Sequence, residues 1–293
     1  MNFLLILIAA IVEFTVVSFE GLRSKRWSWD WAIWINQVAG SYGWWSGLLG
    51  AVITIAVPVV LVSVLFGLLY ATSAFLGHLA ALFVLLLMLG PADLNREIDR
   101  HKRNIDLSLG GTSGVAEPEF LERGEALDLE GVSGDETFDD HRGELAALAL
   151  AADAAWFQPL FWFFVLGPVG VVLYRLCANL RGCVGIEPGV AKVIGELREA
   201  MEWVPGRLTV VAMGTVGTLV PVLETARDFG VIRWSVTADL IARASLAAID
   251  HGRIQEVITL DTRVYRINLM HALIKRTLNV WLVSIAAGAL LFS

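Results

Sequence analysis

The stretch that decides the fold is WFQPLFWFFVLGPVGVVLYR, Trp156 to Arg175. It is aromatic, carries no charge before Arg175, and closes on a tyrosine and an arginine. A helix needs about 20 apolar residues to cross a bilayer at about 1.5 Å per residue. The stretch therefore predicts a membrane span. Pro159, near its start, predicts a kink there.

Composition points the same way. Of the 293 residues, 56% are apolar, and the mean hydropathy is +0.66. The excess lies in runs, as spans would place it. There are 11 Trp and 14 Phe; Trp favours the membrane–water interface, where its ring and its N–H both find partners. The net charge of −7 offers no basic stripe for phosphates and excludes a nucleic-acid partner. The two cysteines, Cys177 and Cys183, read as small buried apolar residues, since two make neither a disulfide framework nor a four-ligand zinc site.

Upstream, Met1 to Phe19 reads as a first span holding one carboxylate, Glu13. Neither a basic n-region nor a small-residue cleavage site marks it as a signal peptide. Between Glu20 and Trp45 stand Trp27, Trp29, Trp31, Trp34, Trp44 and Trp45. Trp27, Trp31 and Trp34 fall at i, i+4 and i+7, which predicts a helix lying in the interface, aromatic face down. Gly47 to Tyr70, with Pro58 inside, and Ala71 to Leu89 predict a second and a third span in a tight hairpin. His78, near a span end, either reaches the interface or serves a site.

Pro91 to Ile105 predicts a helix leaving the membrane, capped by Asp93. Asp106 to Glu144 holds twelve acids against two bases. Such a stretch buries too little to offset its ordering entropy and is expected to be partly disordered. It lacks the EF-hand spacing, so no metal is expected there. A helix should restart near Asp139 and run into the Trp156 span. Downstream, Val190, Val193, Ile194, Leu197 and Met201 form one apolar helical face. Val204 to Leu223 is a fifth apolar segment, spanning or re-entrant. Glu224 to Lys275 should be polar and helical, with Leu240, Ala244, Ala247 and Ala248 on one face. Thr277 to Phe292 is the last span.

The expected fold is all-α: a polytopic helical membrane protein with about six spans. The expected divisions are residues 1–90, 91–155 and 156–293. Basic residues near span ends favour the amino terminus outside, with Arg181, Lys192 and Arg198 in conflict on the far side.

No local motif of a P-loop, nucleophile elbow, H-E-x-x-H zincin or dinucleotide fold occurs. Instead, Pro159–Leu160–Phe161, then Tyr174–Arg175, Gly185, and Trp203–Val204–Pro205–Gly206–Arg207–Leu208 resemble, in order and spacing, the AmpE/CobD–CbiB family of bacterial inner-membrane proteins. Glu13 and the 47–89 hairpin extend the resemblance over most of the chain, and it is nearest the AmpE branch. The CobD–CbiB branch implies an ATP-using synthase joining an amino-alcohol phosphate to cobyric acid. Aligned without gaps on Pro159, this chain has Ala146, Leu150, Ala151 and Ala154 where that synthase has carboxylates, and Ala178 and Arg181 at its N-x-x-D. Alanine and leucine cannot hold metal and phosphate as acidic or amide side chains do.

The resemblance thus implies a regulatory or sensory protein linked to cell-wall recycling and β-lactamase induction, with no cofactor. Its expected partners are the bilayer and a small or cell-wall-derived ligand. Candidate ligand-binding residues are Glu13, Tyr174, Arg175, Pro205 and Arg207. Glu13, deep in a span, should be paired or protonated. Pro205 can preset a helix start, and Arg207 can then hold an anion or Glu13 itself. The alternative is an enzyme or transporter-like protein acting on a small amphiphile between spans.

Overall fold

A computed structural model describes Leu5, Ile6, Ala9 and residues 26–43, 45–89, 136–180, 182–229, 236–249 and 260–291. The rest of the expected first span, with Glu13, lies outside the described residues, as do the expected helix at 91–105 and the acidic stretch up to Asp135.

All regular structure among the described residues is helical. In chain order the helices are α1 (Arg26–Ala39), α2 (Leu48–Thr72), α3 (Ala74–Met88), α4 (Glu136–Ala152), α5 (Gln158–Leu180), α6 (Pro188–Val216), α7 (Leu219–Asp228), α8 (Thr237–Ile249) and α9 (Leu260–Leu291). A π-helical turn, Asp153–Phe157, joins α4 to α5.

Among the described residues, two helical stretches are long and apolar enough to cross a membrane: Leu48–Thr72, and Arg142–Leu180 through the π turn. Only 17% of the apolar window in α2 is buried against 50% of the second. The valines and isoleucines of α2 are weak helix formers in water. Away from water the backbone must satisfy its own hydrogen bonds, and a helix is the way to do so within one segment. The helix continues through Pro58. A single extended residue, Ser73, turns the chain into α3, as the expected tight hairpin requires.

The chain forms two compact units. The first takes Met1–Ala92, Trp156–Pro205 and Leu282–Ser293. Its core joins Ala32 and Ala39 of α1, Trp45, Ala51 and Ile55, Tyr174, Leu176, Cys177 and Leu180 of α5, and Val190, Ile194 and Met201 of α6. Three of the five residues expected on the α6 apolar face are thus in the core, whereas Leu197 is 37% exposed. Both cysteines are buried thiols.

The second unit takes Asp93–Ala155 and Gly206–Trp281. At its centre α8 packs on α4 and α7. Leu240, Ile241, Ala242, Ala244, Ser245, Leu246 and Ala248 are all buried. The expectation of a polar helix with one apolar face understates this, because small alanines let neighbours approach on several sides. At Gly217 a Cβ would stand 2.8 Å from the Ala248 carbonyl oxygen.

Three local expectations are corrected. The kink expected at Pro159 takes two other forms. Pro159 has no N–H to offer Ala155, and the ladder relaxes to π spacing just upstream. The helix then breaks at Gly167 (φ 66°, ψ −152°), a backbone region essentially reserved for glycine. The segment from Val204 to Leu223 is not one helix: it breaks at Gly217–Thr218 between α6 and α7. And α9 starts at Leu260, well before Thr277, with Lys275 and Arg276 exposed along it.

Candidate functional site

In the first unit, α1 is tied down by Asn36, Trp29 and Trp31. Asn36 Nδ2 donates to Gly185 O (3.1 Å), while its Oδ1 accepts from Trp45 Nε1 (3.1 Å) and from the Glu187 N–H (3.2 Å). One amide thus holds α1, the 40–47 turn and the loop into α6. Trp29 Nε1 donates to Asn179 O at 2.8 Å and Trp31 Nε1 to Thr54 O at 3.0 Å. Trp27 and Trp34 stay 44% and 54% exposed on the other face. Trp31 and Trp34 pack ring to ring at 5.5 Å. Trp27 and Trp34 of the expected aromatic face are therefore outward, while Trp31 between them reaches α2 and Trp29, off that face, packs inward.

Glu187 caps α6. Its Oε2 accepts from the Val190 N–H at 2.8 Å, and its backbone oxygen accepts from Ala191 N. The backbone N–H groups of Val190, Gly189 and Gly47 hold its carboxyl below the ordinary range. Pro188 follows as the first helical residue, where its missing N–H costs nothing.

The structure places the candidate residues as follows. Tyr174 is fully buried on α5, and its hydroxyl donates to Glu202 Oε1 of α6 at 3.4 Å. The same oxygen accepts from Arg198 Nε at 2.6 Å, in an ion pair whose side chains are 18% and 12% exposed. Arg175 Nε donates to Met88 O at 2.6 Å, capping the carboxyl end of α3. Pro205 lies inside α6, not at a helix start as expected; the start is at Pro188, under the Glu187 cap. Arg207 belongs to the second unit, where its Nη1 donates to Thr237 Oγ1 at 2.5 Å. Glu13 lies outside the described residues.

The first unit therefore brings together Tyr174, Glu202 and Arg198, of which only Tyr174 was expected. Glu202 opens the E-W-V-P-G-R-L run, and Arg198 stands one turn before it, the spacing of a helical ion pair. Arg198, an interfacial cation by its place in the sequence, is matched by Glu202. His78 Nδ1 donates to Ala74 O, and its ring meets Tyr70 edge-on at 5.2 Å.

The second unit holds another polar pair that the sequence reading missed. Asp153, at the start of the π turn, is 5% exposed, and Thr209 Oγ1 donates to its Oδ1 at 3.0 Å. An acid inside an apolar run was the signal; the strong helix propensity of ELAALALAADAAW concealed it. Among the described residues no three His, Cys, Asp or Glu side chains converge. These arrangements can pair a carboxylate with a cation (Glu202 with Arg198) and can fix helices to one another. Comparison with protein-family models, curated proteins and solved structures returns no match for this chain.

Proposed function

We propose that the chain is an AmpE-like regulatory or sensory protein embedded in the bacterial inner membrane, with six apolar segments, of which 204–223 is a broken one. The embedding is supported by the outer surface of the 48–83 hairpin, where Leu61, Leu65, Leu68 and Phe75 are 65%, 53%, 62% and 74% exposed. So large a contiguous apolar surface is kept soluble only by lipid or a partner. The non-enzymatic reading is supported by one observation: Tyr174, Arg175, Arg198, Glu202 and Arg207 are each engaged with another protein group. Link to cell-wall recycling rests on the resemblance.

The test is β-lactamase induction in cells with and without the chain. Loss or gain of inducibility on deletion, restored by the intact chain, is expected; unchanged induction refutes the reading. Recovery of the chain in the soluble fraction without detergent refutes the embedding.

Asp153 favours the alternative, a diverged relative of adenosylcobinamide-phosphate synthase acting on a small amphiphile. Asp153 stands one residue before Ala154 at the start of the π turn, so a one-residue gap there would bring it to the position of the synthase's carboxylate. Rescue of a strain lacking the synthase would establish this alternative.

A further inference from the structure

We infer that the α2–α3 hairpin does not cross the bilayer but enters it as a wedge, with the tip at Ser73 held among acyl chains. The inference rests on the membrane reading above and goes beyond it in denying the two crossings.

The return arm sets the depth. Helix α3 has 15 residues, about 22 Å at about 1.5 Å per residue, against a hydrocarbon core of about 30 Å. Its outer end is fixed by Arg175, whose Nε sits 2.6 Å from Met88 O. A guanidinium in a membrane protein lies at the polar boundary, where its charge is hydrated. Measured down from that boundary, Ser73 stops about 8 Å short of the far one. By contrast, the uncharged run Trp156–Tyr174 that leads to the same arginine is about 28 Å long as a helix.

The length of α2 does not oppose this. Its 25 residues exceed the return arm, but the surplus lies at its amino-terminal end. There Thr54 O accepts from Trp31 and Gly50 lies against Val190, on the side away from the tip.

The tip also carries no carboxylate, ammonium or guanidinium group. No Asp, Glu, Lys or Arg occurs between Asp30 and Asp93, so the turn lacks the charged flanks of a span end. Thr72 Oγ1 donates to Leu68 O and Leu69 O, Ser63 Oγ to Val59 O, and His78 Nδ1 to Ala74 O. These groups are satisfied by their own helices, as an apolar solvent demands. Around them Leu68, Phe75 and Leu76 are exposed at 62%, 74% and 47%, a surface matched to lipid tails.

The test is labelling of the full chain in right-side-out and inside-out membrane vesicles with a membrane-impermeant maleimide. The buried Cys177 and Cys183 of the unaltered chain give the background. Ser46→Cys, at an exposed turn before α2, should be labelled in one orientation. Ser73→Cys and Phe75→Cys should stay at background in both and become labelled on detergent solubilisation. Labelling of either tip cysteine in intact vesicles of either orientation overturns the wedge while leaving the membrane reading in place. Recovery of the unaltered chain free of membranes overturns both.

Discussion

Removing the Glu202 charge should destabilise the protein more than any other single change to an ion pair described here. Glu202→Gln leaves Arg198 with a neutral partner in a site where the two side chains are only 18% and 12% exposed. Breaking one side of a buried pair costs about 3–5 kcal/mol, and the residual exposure argues for about 2–3 kcal/mol. At about 2–4 °C per kcal/mol for a large domain, Tm should fall by roughly 5–10 °C. Arg198→Met should cost a similar amount. The double change to methionine leaves no orphaned charge, so it should cost less than the sum by about 1.5–3 kcal/mol. Tyr174→Phe, which removes the 3.4 Å contact to Glu202, should cost about 1 kcal/mol or less. The assay is thermal unfolding in one detergent at a fixed scan rate, since unfolding of such a protein is expected to be irreversible. An internal control lies on the same helix. Lys192 and Glu196 are 3.9 Å apart with side chains 77% and 63% exposed, so Glu196→Gln should cost under about 0.5 kcal/mol. Additivity of Arg198→Met and Glu202→Met within about 0.5 kcal/mol, or equal losses for Glu202→Gln and Glu196→Gln, would refute the reasoning.

Two glycines should respond in opposite directions to alanine. Gly217→Ala forces a Cβ to 2.8 Å from Ala248 O and should lower stability by about 1–3 kcal/mol, whereas Gly195→Ala, with nothing within 4 Å, should raise it by about 0.5–1 kcal/mol; thermal unfolding reads both. Asn36→Ala removes three hydrogen bonds and should cost about 2–4 kcal/mol, with a red shift of tryptophan emission as Trp45 loosens. Glu187 supplies a pH dependence of known sign. Its folded carboxyl titrates below the unfolded value of about 4.3, so its contribution is complete above that pH and is lost as pH falls through the lower, folded value. The unaltered chain should therefore be more stable than Glu187→Gln at pH 7, and the gap should close below about pH 4; a constant gap from pH 7 to 3 would rule out the cap's charge as the cause.

The sequence was readable where one physical rule dominates. Uninterrupted apolar runs from Leu48 to Met88 could only be helices, and the hairpin at Ser73 followed from its brevity. The apolar face of α6 was legible at Val190, Ile194 and Met201 because a period of 3.6 leaves a plain trace. Where rules compete, the reading went astray. Pro205 looked like a helix start because proline favours that position, but Glu187 and Pro188 had already begun the helix, and an established helix tolerates a proline when packing holds it. Pro159 was expected to bend the chain where it stands; the backbone instead yielded a few residues away, in the π turn and at Gly167. In the candidate site, Tyr174 was singled out while its partners were not. Their meeting depends on how α5 and α6 pack, and neither sequence periodicity nor composition carries that distance.

The break at Gly167 divides the electrostatics of the aromatic helix as well as its geometry. An uninterrupted helix keeps its partial charges at its two ends, which for a membrane helix means in the headgroups. Here one half ends before Gly167 and another begins at Pro168, so a carboxyl-terminal and an amino-terminal helix end face each other midway along the apolar run. Carbonyl oxygens such as that of Phe164, which Pro168 cannot serve, lie at that depth. The helix therefore carries a local dipole pair where its side chains present only hydrocarbon. Polarity in this protein resides partly in the main chain, where no list of charged residues would reveal it.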